Sequence, residues 1–320
     1  MIRLLTTALL CLVMPLAGSA SELMPRVHFL IPAGPGGGWD GTARGIGEAL
    51  QKSGMVEDVS YENLSGGGGG RAIAKLIETA ERQQNTLLIS STPIVVRSLQ
   101  GIFPQSFRDL RVIGSVIADH TAILVKADSP FGSFRELSAA YNSNPGNVKV
   151  AGGSVRGSTD HFVIARALQL GGGNPRSVVY VPYDGGGKAM AGLLTGETTA
   201  LSTGLSEAID MHRAGEARIL AVTAPQRLPE IRGVSTLMEQ GIAFSFANWR
   251  GFFAAPGLSA ASYNKMINTV ASVTETEAFE EVRKRNGWTR LSLTDQAFYE
   301  FLEAQEAEIG TLMRELGYLR

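Results

Sequence analysis

The sequence predicts an α/β protein of two similar lobes, each a mostly parallel sheet flanked by helices, with a cleft between them. Three observations predict it. Short continuous apolar runs, the mark of buried strands, are each followed by a glycine- or hydroxyl-rich loop and then by a helical pattern. This unit recurs at steps of 32 and 30 residues, with strands beginning at 27 and 59 and again at 148 and 178. Two further apolar runs, 122–125 and 249–254, stand where a chain passing between lobes and returning would cross.

The first twenty residues are expected to lie outside the fold. Arg3, an apolar stretch over 4–16 and the small residues Gly18-Ser19-Ala20 predict a secretory signal peptide cleaved after Ala20. Leu10 before Cys11 argues against a lipid anchor there, and Cys11 is the only cysteine, so stability must come from a core instead of disulfides. Loss of Arg3 leaves 28 basic against 30 acidic residues, a balance that points to neither nucleic acid nor an anionic membrane surface.

The first strand is Val27-His28-Phe29-Leu30-Ile31, followed by Pro32-Ala33-Gly34-Pro35-Gly36-Gly37-Gly38 and a helix over 42–50. That order leaves backbone N–H groups free at the positive end of a helix, a ready seat for an anion. A strand over 59–64 leads into the second glycine loop, 65–70, and a helix over 71–78. The strand at 86–90 ends on Ser91-Thr92-Pro93. In the second half a strand at 148–151 precedes the small-residue loop 152–160 and a helix over 161–170. A strand at 177–182 precedes Tyr183-Asp184-Gly185-Gly186-Gly187 and a helix over 188–194. The tail reads as helices over 262–274 and 277–285, a strand at 289–291 and a long amphipathic helix over 295–316 that packs back on the first lobe. The expected division is 1–20 signal peptide, 21–122 with 250–320 first lobe, and 123–249 second lobe.

These residues carry a family resemblance. Pro35-Gly36-Gly37-Gly38-Trp39-Asp40, Asn63 followed by Gly66 to Gly69, and Val181-Pro182-Tyr183-Asp184-Gly185-Gly186 with Leu193-Leu194-Thr195-Gly196 resemble segments of the solute-binding receptors of tripartite tricarboxylate transporters, the TctC-like or Bug receptors. Ala221-Val222-Thr223, Arg227, Pro229, Thr236, Glu239 and Gly241, then Trp249-x-Gly251 and Ala255-Pro256-Gly257, continue the match in order. The resemblance implies a type II periplasmic binding fold in which lobes close on a ligand. It also implies a small di- or tricarboxylate ligand such as citrate, held through backbone amides and bridging waters, and no enzymatic activity or cofactor. Delivery would be to a membrane complex of one large and one small subunit, and a monomer is expected. Leu64, Ser65, Ser235, Thr199, Ala200 and the segment Thr203-Gly204-Leu205-Ser206 depart from the usual pattern.

A carboxylate leaving water must have its hydrogen bonds replaced, which loops rich in glycine and hydroxyls can do. The ligand-binding residues expected from the first lobe are Gly36, Gly37, Gly38, Gly66, Gly67 and Gly68, with Ser91 and Thr92 supplying hydroxyls. Facing them are Gly153, Ser154, Gly157, Ser158 and Thr159, with Tyr183, Gly185, Thr203 and Gly204 beside. Trp39 either walls the pocket or packs in the core. Asp40 would repel an anion and is expected to cap the helix that follows, a ligand hydroxyl or amine being the alternative. Arg156, the one basic side chain in these loops, reaches either a distal carboxylate or solvent. Arg250 is expected to be distant, the anion resting on amides and not on a guanidinium.

Other readings are weaker. Gly36 to Gly41 fits GxGxxG, with Glu57 or Asp58 nearly twenty residues on, but Glu57 precedes the second strand where a dinucleotide-binding oxidoreductase needs it at the strand's end. Gly152-Gly153-Ser154-Val155-Arg156 breaks the hydrolase GxSxG at its last position. His28, His120, His161 and His212 show no metal-ligand spacing. An extracytoplasmic sensor that presents its ligand to a membrane signalling protein would use the same closed lobes.

Overall fold

The computed structural model describes residues 23–319, so the expected signal peptide lies outside the described residues. In chain order these form β1 (Arg26–Ile31), α1 (Gly38–Lys52), β2 (Asp58–Asn63), α2 (Gly70–Glu78), β3 (Thr86–Ser91), α3 (Pro93–Leu99) and β4 (Arg111–Lys126). The chain continues as α4 (Phe134–Ser143), β5 (Lys149–Gly152), α5 (Thr159–Leu170), β6 (Val179–Pro182), α6 (Gly186–Leu194), β7 (Ala200–Gly204), α7 (Leu205–Arg213) and β8 (Ala217–Val222). It ends with β9 (Ala247–Ala254), α8 (Ala260–Val273), α9 (Glu277–Arg285), β10 (Thr289–Thr294) and α10 (Asp295–Glu315).

The sixteen-residue β4 joins two sheets. Its first half, Arg111 to His120, pairs antiparallel with β9, and β9 pairs in turn with β3. The parallel strands β3, β1 and β2 extend that sheet, and β10 also pairs antiparallel with β4. From Thr121 onward β4 pairs instead with β7 and β8, and β7 leads to the parallel β5 and β6. Strands reached through crossover helices are parallel, as the alternating pattern predicts, whereas the two crossing strands β4 and β9 run antiparallel to their neighbours.

Each sheet is covered on both faces. Phe29, Ile31, Ile46, Met266, Phe279 and Trp288 fill one side of the first sheet, and Leu30, Leu88, Val95, Trp249, Phe298 and Met313 the other. In the second, Ile123, Phe134, Val150, Ile164 and Leu220 lie on one side and Leu124, Ala151, Leu193, Leu201 and Ile209 on the other. A fully buried Phe or Leu contributes roughly 1.5–3 kcal/mol. That is why strands such as Thr86–Ser91, buried at every position, show no polar alternation. Helix α10 packs over β4 and α3 of the first lobe, as its amphipathic pattern indicates.

The glycine loops deviate from the expected boundaries. Helix α1 begins at Gly38, four residues earlier than periodicity places it, because Gly37 adopts an extended conformation (φ −85, ψ 169) and releases the chain into the helix there. The second loop bends through four successive left-handed glycines, Gly66 to Gly69, with φ of 141, 61, 66 and 105. No residue with a Cβ adopts such a run without strain, so this loop requires glycine.

Candidate functional site

A cavity of about 310 Å³ lies where the two sheets meet. Its lining comes from the loops after β1, β2, β3, β5, β6 and β7 and from β9, at the carboxyl ends of parallel strands, where open α/β sheets place ligands. The rims touch across the cleft. A Cβ on Gly37 would sit 3.4 Å from the Gly185 Cα, the Ser65 hydroxyl donates to Asp184 Oδ1 (2.6 Å), and Gln100 Nε2 donates to the Gly157 carbonyl (2.9 Å).

Helix N-termini converge on this space. Gly41 N closes the first turn of α1 onto Gly37 O (2.9 Å), Phe162 N does so for α5 onto Ser158 O (3.0 Å), and Ala189 N for α6 onto Gly185 O (3.2 Å). The amides ahead of these have no intrahelical acceptor, and each helix end carries partial positive charge. Of the expected residues, Gly37, Gly38, Trp39, Gly66, Gly67, Gly68, Ser91, Gly153, Ser154, Ser158, Thr159, Tyr183, Gly185 and Gly204 line the cavity. Trp39 is both wall and anchor, its Nε1 donating to Ser91 Oγ (2.8 Å). The Ser158 and Thr159 hydroxyls are buried without a partner. A buried hydroxyl without a partner costs about 1–3 kcal/mol, which a ligand atom would relieve.

The remaining expected residues lie outside the lining. The Gly36 amide donates to Asp40 Oδ2 (3.0 Å), and Asp40 also holds Arg44 Nε and Asn63 Nδ2 (each 3.0 Å). Burial works against its charge, but these bonds hold the carboxyl below the usual range. Asp40 thus ties the first glycine loop to α1 and β2. The Gly157 amide is taken by His161 Nδ1 (2.9 Å), and the Ser158 amide by the Val155 carbonyl (3.0 Å). The α5 end therefore offers the two hydroxyls and the Thr159 amide, and not the Gly157 amide. Burial, aided by Arg156, pushes His161 down to about 4, so its ring is a neutral acceptor. Thr92 Oγ1 is buried without a partner, Thr203 Oγ1 donates to Glu207 Oε2, and Arg156 turns away to donate to the Tyr180 carbonyl.

Arg250 is not distant. It lies on β9, between Ser91 of β3 and Ile117 of β4, is 3 % exposed, and lines the cavity floor. A Cβ on Gly38 would fall 2.1 Å from its Nη1, so the guanidinium occupies the space that glycine leaves at the start of α1. Its Nη2 donates to Asp119 Oδ2 (3.0 Å), itself fully buried and bonded by the Ser206 hydroxyl (2.6 Å). Burial pushes the Asp119 carboxyl up, opposed by Arg250. The Arg250 Nε has no partner, and Nη1 has only a long contact to Thr42 Oγ1 (3.4 Å). One signal for Arg250 was present in the sequence: a lone Arg within the apolar run Ala247–Ala254 must have a reason to be buried.

Three carboxylates line the cavity: Asp184, which accepts from Ser65, together with Glu207 and Asp160. Glu207 sits in the first turn of α7, accepting the Gly204 amide (3.2 Å) on Oε2, with its carboxylate against Gly186. Asp160 opens α5, and burial, with the charge of Glu207 second, pushes it up to about 7. Among the described residues no group of three or more His, Cys, Asp or Glu converges to hold a metal.

Two sheets joined by crossing strands, with a cavity between them lined by helix N-termini, form the two-lobed architecture of periplasmic binding proteins. A profile of the TctC family, described as tripartite tricarboxylate transporter family receptor, matches residues 42–318, and the chain belongs to this family. It is 25% identical to the protein BugT of Bordetella pertussis over 91% of this chain and 89% of that one. Among solved structures it is similar to MatC from Rhodopseudomonas palustris with bound malate (TM-score 0.77, 19% identity, 90% of this chain and 98% of that one). It is also similar to an R. palustris protein with adipate (TM-score 0.82, 21% identity, 91% and 97%). At these identities the structures speak to the fold.

Proposed function

We propose that the protein is an exported receptor that captures a small di- or tricarboxylate in the cavity between its lobes and delivers it to the large and small membrane subunits of a tripartite transporter. One observation carries this reading: a buried guanidinium, Arg250, set at the positive end of α1, with Asp119 as the one carboxylate in direct contact among the described residues and its Nε unpartnered. Two positive features side by side and withdrawn from solvent favour an anion, and a carboxylate would take the α1 amides, Arg250 and the free hydroxyls of Ser158 and Thr159 together. The family and the malate and adipate of the similar structures support the same ligand class.

The proposed cradle differs from the one expected from sequence. The first-lobe side rests on the α1 amides and Arg250, while the second-lobe side contributes hydroxyls more than amides. The lobes, taken to divide where β4 exchanges partners at His120 and Thr121, would close with β4 and β9 as hinges. The mature protein is proposed to begin near Ser21 and act in the periplasm as a monomer. A thermal-shift screen over succinate, malate, adipate and citrate tests the reading, since a ligand that binds only the folded state raises the melting temperature. If monocarboxylic amino acids, sugars or sulfonates raise it while no di- or tricarboxylate does, the reading is wrong.

A further inference from the structure

A second groove opens on the far side of the contact between the lobes, and three arginines line it: Arg97 of α3, Arg314 of α10 and Arg156 of the loop before α5. None of the three forms an ion pair with any described residue. Glu315, next to Arg314, is held by Arg166 (3.2 Å). Arg97 is the informative member. It is only 8 % exposed, its Nη1 donates to Gln100 Oε1 (2.9 Å), and its Nε is buried against Gly68 with no acceptor. A guanidinium withdrawn from water without a counter-ion is costly, and burial lowers its pKa. Two more cations over the same groove raise that cost unless an anion enters. The groove also spans the cleft: Arg97, Gln100 and Arg314 come from the side of the first sheet, Arg156 from that of the second, and Gln100 Nε2 bonds the Gly157 carbonyl across the gap.

We propose that this groove is a second oxyanion site, distinct from the main cavity, that takes a small polyvalent oxyanion of the phosphate type and is shared by the two lobes. Guanidinium forks suit such groups, since two oxygens of the anion each accept one of a guanidinium's two parallel N–H bonds and the remaining oxygens can meet a second arginine. Any anion seated there bridges the lobes.

The test is calorimetric titration with inorganic phosphate at constant ionic strength set with chloride, alongside NMR observation of the Arg97 Nε–Hε resonance. Saturable binding is expected, with a shift of that resonance. Arg156→Gln and Arg314→Gln replace exposed side chains and so should leave the fold intact. Each should weaken phosphate binding about fivefold or more, showing that both sides contribute. Gly38→Ala, which disturbs the main cavity only, should leave phosphate binding unchanged, so failure of the carboxylate reading is told apart from failure of this one. Absence of saturable binding overturns the proposal. So does wild-type affinity in either arginine variant, or loss of phosphate binding in Gly38→Ala, which would place the anion in the main cavity.

Discussion

Replacing Gly38 by Ala isolates the part of the site on which the functional reading depends. Gly38 is the first residue of α1 and its φ is negative, so alanine fits its backbone, and in a helix alanine is favoured over glycine by up to about 1 kcal/mol. The difficulty is space. The new Cβ would lie 2.1 Å from Arg250 Nη1, 2.2 Å from Nη2 and 2.5 Å from Cζ, where ordinary contacts begin at 3.4 Å. The guanidinium must therefore retreat from the end of α1. Hydrogen bonds to charged groups are worth roughly 1.5–3 kcal/mol, so carboxylate affinity should fall about ten- to a hundredfold. Stability should fall too if Arg250 also loses Asp119, since breaking a buried pair costs about 3–5 kcal/mol. The control is Gly41→Ala on the same helix, where a Cβ meets nothing within 4 Å and binding should be unchanged. Calorimetric titration with malate and adipate, on protein shown folded by circular dichroism, reads the effect. Wild-type affinity in Gly38→Ala would refute the seating of Arg250 as an anion ligand.

Other changes probe the same geometry from different sides. Arg250→Gln should weaken carboxylate binding at least tenfold and lower the melting temperature, because Asp119 is left buried and unpaired; an unaltered affinity by calorimetry contradicts the site. Ser158→Ala combined with Thr159→Val should cost about 1–3 kcal/mol of binding if both hydroxyls meet the ligand, and equal affinities would remove them from it. Asp160, pushed up to about 7, is protonated below that pH and charged above it. Affinity for a dianionic ligand should thus decline as pH rises from 6 to 8, and Asp160→Asn should flatten the profile; a flat wild-type profile would exclude the linkage. Its contribution to stability has the same sign: the raised pKa lets the folded state hold a proton the unfolded chain gives up, so stability falls between about pH 4 and 7. Small-angle scattering should show a smaller radius with saturating malate than without, and a larger radius would contradict closure.

Much of this was legible in the sequence because it rests on local pattern. The strand–loop–helix units, the crossing strands and the tail helices show in apolar runs and glycine punctuation, and they place most of the lining loops. What escaped depends on partners far away in the chain. Arg250 meets Gly38 and Asp119 only after β9 is inserted between β3 and β4, so its largely apolar neighbours signal a buried Arg but not its place in the cleft. Arg156 stands in a ligand-like loop, yet its side chain folds outward onto Tyr180, because backbone position does not fix where a long side chain goes. The Gly157 amide looked free until His161, one helical turn on, took it. Helix α7, which brings Glu207 to the cavity, is only nine residues long and has a glycine N-cap without a side-chain hydrogen bond, so the segment after Thr203 carries little start signal.

The most direct test is a crystal structure with the carboxylate that most raises the melting temperature. The account predicts one ligand carboxylate at the start of α1, within hydrogen-bonding distance of the Gly38 or Trp39 amide and of Arg250, and also meeting the Ser158 or Thr159 hydroxyl. A ligand seated elsewhere, or one whose carboxylates avoid both Arg250 and the end of α1, would contradict it.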